Sequence, residues 1–342
     1  MFRSEREKMV AMPLRRALLV TLAFAVIASA CTGSDDPSVE SPSSGASSSG
    51  VPAASSIAAS VGSSDLAIGS SQRFELGIYA SDGQGVKLLA FGRISLAFSY
   101  LGNGSGSGEP GPEVSGTYIG AFGMPQSGPA PAFLDPNDAR GVYQAEVEFD
   151  RAGTWQVAAT GDIPGLGSQP LTAAFSVQKD HALLAPGDRA PRTQNLTMDS
   201  KGVPLAAIDS RALDGAPVPD PDLHRWTIAD ALAQHRPILA LFATPTFCIS
   251  RFCGPETDGL EDLAKRYADR AVFIHVEIWR DFKNSVVNKA AADWVCCDAT
   301  GDLTEPWLYL IGPDGVIKDR WGPLFDPNEV AKDLAELPRM KP

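Results

Sequence analysis

The sequence lacks a basic cluster beyond its N-terminus, and its formal net charge is −12 over 342 residues. An acidic surface repels a phosphate backbone, which argues against nucleic acid as a partner. Histidine and methionine are scarce. His181, His224, His235 and His275 fall at no ligand-like spacing, so no metal and no cofactor are expected. No cysteine lies between Cys31 and Cys248, so nothing covalent pins the intervening chain. The apolar run Ala17–Ala30 is about 14 residues long, short of the roughly 20 that a membrane span requires.

What is present at the N-terminus reads as an export signal. Arg15 and Arg16 precede the apolar run, which closes on Ala28-Ser29-Ala30-Cys31. Small residues followed by cysteine resemble a bacterial lipoprotein signal, with Ala28 where leucine is commoner. The resemblance implies removal of residues 1–30, a lipid on Cys31, and a chain held at the cell membrane on its extracytoplasmic side, where thiols oxidise. The other reading is ordinary cleavage after Ala30, with Cys31 left as a thiol. Residues 31–64, dominated by Ser, Gly, Ala, Pro and Asp, bury too little apolar surface to fold and read as a flexible linker.

Residues 65–178 alternate with period two. Phe74, Leu76, Ile78 and Ala80 form one such run, and Ile94, Leu96 and Phe98 a second. Tyr143, Ala145, Val147 and Phe149, then Trp155, Val157 and Ala159, repeat it. Turn signals at Asp82-Gly83, Asn103-Gly104 and Arg151-Ala152-Gly153 separate the runs, which predicts an all-β sandwich. "GVYQAEVEFDRAGTW" resembles the end of immunoglobulin-like modules of bacterial envelope proteins. The region offers no acid–base pair, so a spacing or docking role is expected. Residues 179–222 form a connector rich in Pro and Asp. In it, Pro186-Gly187-Asp188-Arg189-Ala190-Pro191 resembles the entry segment ahead of thioredoxin-like and peroxiredoxin-like domains.

From Leu223 onward the pattern changes. Thr227 caps an expected helix through Gln234, and "PILALFA" (237–243) is an apolar run suited to a buried strand. Leu260, Leu263, Ala264 and Tyr267 mark a helical stripe. "AVFIHVEI" reads as a strand, Lys283–Trp294 as a helix, and "PWLYLIGPDGVIKDRW" as a hairpin turning at Pro313-Asp314-Gly315. Asp326 and Pro327 open a closing helix that runs to Leu337.

Cys248 and Cys253 sit in the turn after the first strand, within "FATPTFCISRFCGP". On one ideal helix their Cα atoms would be about 8.7 Å apart, beyond the roughly 7 Å a disulfide allows. A direct bond therefore requires non-helical backbone between them. Either Pro255 starts the helix and the stretch from Cys248 to Gly254 is a loop, or Cys248 itself sits at the helix start. Near a helix N-terminus a thiol pKa falls, giving the thiolate that attacks disulfides.

Residues 223–342 resemble a thioredoxin-fold domain on four features: the strand "ILALFA", the cysteines after it, "CGP" before a helix, and Pro306 before "WLYLI". The resemblance implies an α/β thioredoxin fold beside an immunoglobulin-like sandwich. It also implies thiol–disulfide exchange with no cofactor, Cys248 as nucleophile and Cys253 as resolving residue. By the same resemblance Glu305–Pro306 is a cis bond that presents clients, and the partners are protein thiols or disulfides and an unidentified redox partner.

Four residues separate the two cysteines where that family has two, and its buried acid has no counterpart in Ala240-Leu241-Phe242. Glu277 with His275 could relay protons, or form a strand-end pair facing solvent. Glu305 is the better-placed carboxylate. Cys296 and Cys297 could pair with an active-site cysteine, form a structural disulfide, or have no role. Thiol peroxidase is an alternative, weakened because Pro245 stands where that motif has threonine. A non-catalytic envelope lipoprotein with structural disulfides is another. Copper chaperones of the same fold need a cysteine spacing and a histidine placement that this chain lacks.

Overall fold

The computed structural model describes residues 56–81, 85–102, 108–296 and 302–340. The signal, Cys31 and most of the linker lie outside the described residues, as do Cys297 and the turn signals at 82–83 and 103–104. Nine strands make the first sheet: β1 (Ser56–Val61), β2 (Gln72–Ser81), β3 (Val86–Ala90), β4 (Arg93–Gly102), β5 (Glu109–Gly120), β6 (Ala132–Leu134), β7 (Gly141–Val147), β8 (Gly153–Thr160) and β9 (Leu171–Val177). Their order is β6-β3-β2-β7-β5-β4-β8-β9, with β1 on β2, and every pairing is antiparallel. The alternating apolar residues meet inside: Phe74, Leu76, Ile78, Leu96, Phe149 and Val157 are all fully buried. Phe98 packs edge-on against Phe74 at 4.9 Å and against Phe149 at 5.5 Å. Each such side chain removed from water contributes roughly 1.5–3 kcal/mol.

The chain then runs through the connector, which contains 3-10 turns at Leu205–Ala207, Ser210–Gly215 and Pro221–His224. Next come α1 (Ile228–Ala233), β10 (Ile238–Ala243), α2 (Cys253–Tyr267) and β11 (Val272–Glu277). A short hairpin, β12 (Trp279–Asp281) and β13 (Val286–Val287), leads to α3 (Lys289–Val295). The chain ends in β14 (Trp307–Ile311), β15 (Ile317–Trp321) and α4 (Pro327–Glu336). The second sheet has the order β11-β10-β14-β15, and only β10–β11 is parallel. Thr227 caps α1 by accepting from the Asp230 N–H, and Asp326 caps α4 by accepting from the Asn328 N–H.

The expected fold class, an α/β thioredoxin fold beside an immunoglobulin-like sandwich, is corrected by this architecture. The described chain is mainly β-sheet. Its β region pairs as one continuous antiparallel sheet that curls until β1 lies against β9, where a sandwich needs two sheets. In the C-terminal region α1 spans 6 residues and α3 spans 7, too short for the crossover helices of an α/β layer. Part of the helix expected over 283–294 is the β12–β13 hairpin instead. Its turn is fixed by the Asn284 amide donating to Asp281 at 2.7 Å, with Ser285 at φ 54°. β1 lies in the stretch expected as linker, where "SIAASV" finds partners along β2.

The described residues belong to one compact unit, and a polar joint ties its two sheets. Arg73 on β2 bonds both carboxylate oxygens of Asp319, at 2.9 and 2.8 Å, pairs with Glu329, and stacks over Trp321. Arg320 on β15 reaches Asp65 at 2.7 Å. The joint also explains why Glu75, at a position expected to face water, is fully buried: both faces of β2 are covered. Among the described residues no helix is long and apolar enough to cross a membrane.

Candidate functional site

β10, "ILALFA", is buried at all six positions and delivers the chain to Thr244 at the sheet's end. The loop that follows is anchored twice. At its start Thr246 N–H donates to Ser210 Oγ at 3.1 Å, and near its end Arg140, just before β7, donates to the Arg251 carbonyl at 3.0 Å. Arg251 takes the left-handed conformation, φ 63°, which turns the chain back. Phe252 then buries its ring with Ala121, Val142 and Leu324.

The non-helical loop brings Cys248 and Cys253 into a disulfide with Cα atoms 5.9 Å apart. Helix α2 begins at Cys253 itself. This corrects both expected starts: Cys248 lies in the loop, and Pro255 is the third helical residue. Cys253 is fully buried and Cys248 half-buried. The Cys253 N–H, at the positive end of α2, donates to Cys248 Sγ at 3.3 Å, and Ser250 Oγ lies 3.1 Å from the same sulfur. These two donors are placed to stabilise a Cys248 thiolate. Glu256, in the first turn of α2, would oppose this if ionised. It is fully buried, and burial pushes its pKa well above the usual range, which favours its neutral form.

Glu305 completes the cluster. One carboxylate oxygen of Glu305 and the two sulfurs all lie within 4.8 Å of one another. Its Oε2 is buried without a hydrogen-bond partner. Burial, with the Glu277 charge adding to it, pushes its pKa up to about 8. The Glu305–Pro306 peptide is cis, and Pro306 is buried beside the disulfide loop.

A groove of about 400 Å³ runs past these residues, lined by Tyr79, Val142, Ile249, Ser250, Glu305 and Pro306. A second, of about 480 Å³, lies across the loop against Val86, Arg140 and Arg251. Both draw walls from the first sheet, which the sequence left without any part in the site. Ile249, next to Cys248, is 97% exposed. A cavity of about 560 Å³ lined by Trp226, Arg236 and Lys265 contains no residue of the cysteine loop.

The remaining expected residues lie apart from this centre. Glu277 is buried, not solvent-facing. Its oxygens accept from the Ser210 N–H at 2.8 Å and the Trp279 N–H at 3.1 Å, and burial raises its pKa. Cys296 caps the end of α3 and is disulfide-bonded, and the Cys248–Cys253 bond leaves neither Cys248 nor Cys253 as its partner. The structure also assembles a group that sequence spacing gave no sign of. Asp209, His224 and His275 converge in the interior, next to Ser210, from two connector turns and β11. No protein-family model and no curated protein matches the chain.

Proposed function

We propose that the chain is a thiol–disulfide oxidoreductase-like protein, with Cys248 as nucleophile and Cys253 as resolving residue. The observation that carries this reading is the Cys248–Cys253 disulfide at the start of α2. Its reachable sulfur faces a helix N–H, and an unpaired carboxyl adjoins both sulfurs. In the reduced protein the Cys248 thiolate attacks a client disulfide. A Cys248–client bond forms and the client's second sulfur leaves as a thiolate. Cys253, giving its proton to the Glu305 carboxylate, attacks Cys248 Sγ and releases the client's other sulfur. The client gains two electrons and the Cys248–Cys253 bond is restored. The same steps run backwards oxidise a client dithiol, with Glu305 returning its proton to the departing Cys253 sulfur. The thiols carry the electrons, so no cofactor enters the reaction.

The small residues before Cys31 support placement on the outer side of the cell membrane through a lipid. The groove that takes walls from both sheets suits an extended protein segment better than a small solute.

Cys253→Ser tests the reading. It is expected to accumulate mixed disulfides through Cys248 with client proteins, and a second change, Cys248→Ser, abolishes them. If nothing is trapped and the Cys248–Cys253 potential lies below about −300 mV, the bond is structural and the protein is a non-catalytic binding lipoprotein. Peroxide-dependent oxidation of Cys248, without client trapping, would favour the peroxidase reading.

A further inference from the structure

We infer that Asp209, His224 and His275 bind one first-row divalent metal ion, of which Zn²⁺ is the best match. This site stands independently of the disulfide chemistry. All three side chains are fully buried, and their facing ligand atoms lie within 4.8 Å of one another.

Asp209 Oδ2 is 3.4 Å from His224 Nε2 and 3.6 Å from His275 Nδ1. Those separations are long for hydrogen bonds to a carboxylate. They suit the edges of a tetrahedron: two donors each about 2.0–2.1 Å from a zinc ion sit roughly 3.4 Å apart.

The hydrogen-bond pattern points the same way. His275 Nε2 lies 3.2 Å from the Ala243 carbonyl, an acceptor, so that nitrogen carries the proton. In the neutral ring Nδ1 then presents a lone pair to Asp209 Oδ2, so that two acceptors face each other. A cation between them resolves the conflict, and anchoring the far nitrogen on a carbonyl is the usual support for a metal-binding histidine. His224 has no hydrogen-bond partner at either ring nitrogen, and His275 has none at Nδ1. Orphaned buried groups of this kind are rare and call for a ligand.

The electrostatics also favour a cation. Arg211 bonds Asp209 Oδ2 at 2.7 Å but also pairs with Asp220 and approaches Asp258 at 3.7 Å, so three carboxylates surround one guanidinium. Two imidazoles and a carboxylate form a donor set of borderline softness, which takes zinc and its neighbours in preference to Mg²⁺ or Ca²⁺. Three protein ligands leave one position for water. The ligands come from the residue that caps the turn Ser210–Gly215, from the turn Pro221–His224 and from β11, so the ion fastens the connector to the second sheet. Ser210 in turn holds Thr246, two residues before Cys248.

The test uses the untagged full chain, chelator-treated and fully oxidised so that Cys248 and Cys253 cannot ligate. Co²⁺ is titrated in, followed by Zn²⁺. The expected result is one equivalent of Co²⁺ with the visible absorption of a four-coordinate ion and no thiolate-to-metal band. Zn²⁺ displaces it and raises Tm. His224→Gln is expected to weaken binding by more than the roughly 10–100-fold typical of outer-shell changes and to remove the Tm rise. Cys248→Ser with Cys253→Ser is expected to leave binding unchanged. Absence of one-to-one binding to the wild-type chain, shown folded by circular dichroism, overturns the inference. So does binding that survives His224→Gln and His275→Gln together.

Discussion

Glu305 at the cysteine end of α2 and Glu75 in the joint between the sheets carry the same perturbation for the same first reason. Burial lifts each carboxyl to about 8. Their surroundings differ. Glu305 borders two sulfurs and a groove, while each of the two acids leaves its Oε2 unpartnered. Glu75 is sealed between sheets and takes a hydrogen bond from the Gln144 amide at 3.2 Å. A displaced pKa alone therefore does not mark a reactive site. What separates the two acids is whether a bond that can break lies within reach of the proton.

The sharpest way to break that comparison is Glu305→Gln, which keeps the shape and removes the proton. Reduction of the Cys248–Cys253 bond by dithiothreitol, expressed per reductant thiolate, is expected to slow about 10- to 100-fold below pH 8. That lies at and below the lower end of the roughly 100- to 10,000-fold that general acids contribute. The wild-type rate is expected to fall as pH rises through about 8, where Glu305 loses its proton, and the variant to lose that fall. Equal rates and equal profiles would make Glu305 as silent as Glu75.

How much of this was legible in the sequence depends on how local the signal is. The apolar alternation from Phe74 to Ala159 marks core positions directly, because a period of two assigns each side chain a face. Thr227 and Asp326 cap the helices they precede, since capping needs only the next three residues. Glu305 beside Pro306 can be read as a carboxylate near the cysteines, and one of its oxygens lies within 4.8 Å of both sulfurs. Neither start that the residues offer for α2, Pro255 or Cys248, is the observed one: the first-turn N–H groups have no helical partner, so proline fits at the third position as well as the first. The fold class failed for a different reason. Residue patterns identify strands, but whether they close as two sheets or one is set by which edges pair. Asp209, His224 and His275 lay beyond reach because two irregular turns and a strand bring them together, and no spacing records that.

The joint is tested by stability. Glu75 has a folded-state pKa raised above its unfolded value, so the folded state holds the proton more tightly. Its contribution is full below the unfolded value near 4.5 and is lost as pH rises through about 8. The unfolding free energy of the oxidised protein is expected to decline across that window. Glu75→Gln should flatten the decline by up to about 1.4 kcal/mol per pH unit, while dithiothreitol reduction proceeds at the wild-type rate. Urea titrations at a series of pH values measure this. An unchanged slope would mean that Glu75 is ionised in the folded protein and balanced by Arg73.

The smallest effect concerns the backbone between the two cysteines. Arg251 holds a left-handed conformation that costs a residue bearing a Cβ about 1 kcal/mol. The contact it makes through Arg140 uses its carbonyl, which any residue retains. Arg251→Gly is therefore expected to stabilise the oxidised protein by about 0.5 kcal/mol, less than the full cost because glycine also gains freedom in the unfolded chain. Arg251→Val, β-branched at the same φ, is expected to destabilise it by more than about 1 kcal/mol. Equal unfolding free energies for the two variants would show that the loop relaxes freely. The two residues that lengthen the cysteine spacing would then be slack, and the left-handed turn at Arg251 would not fix the Cα separation of 5.9 Å.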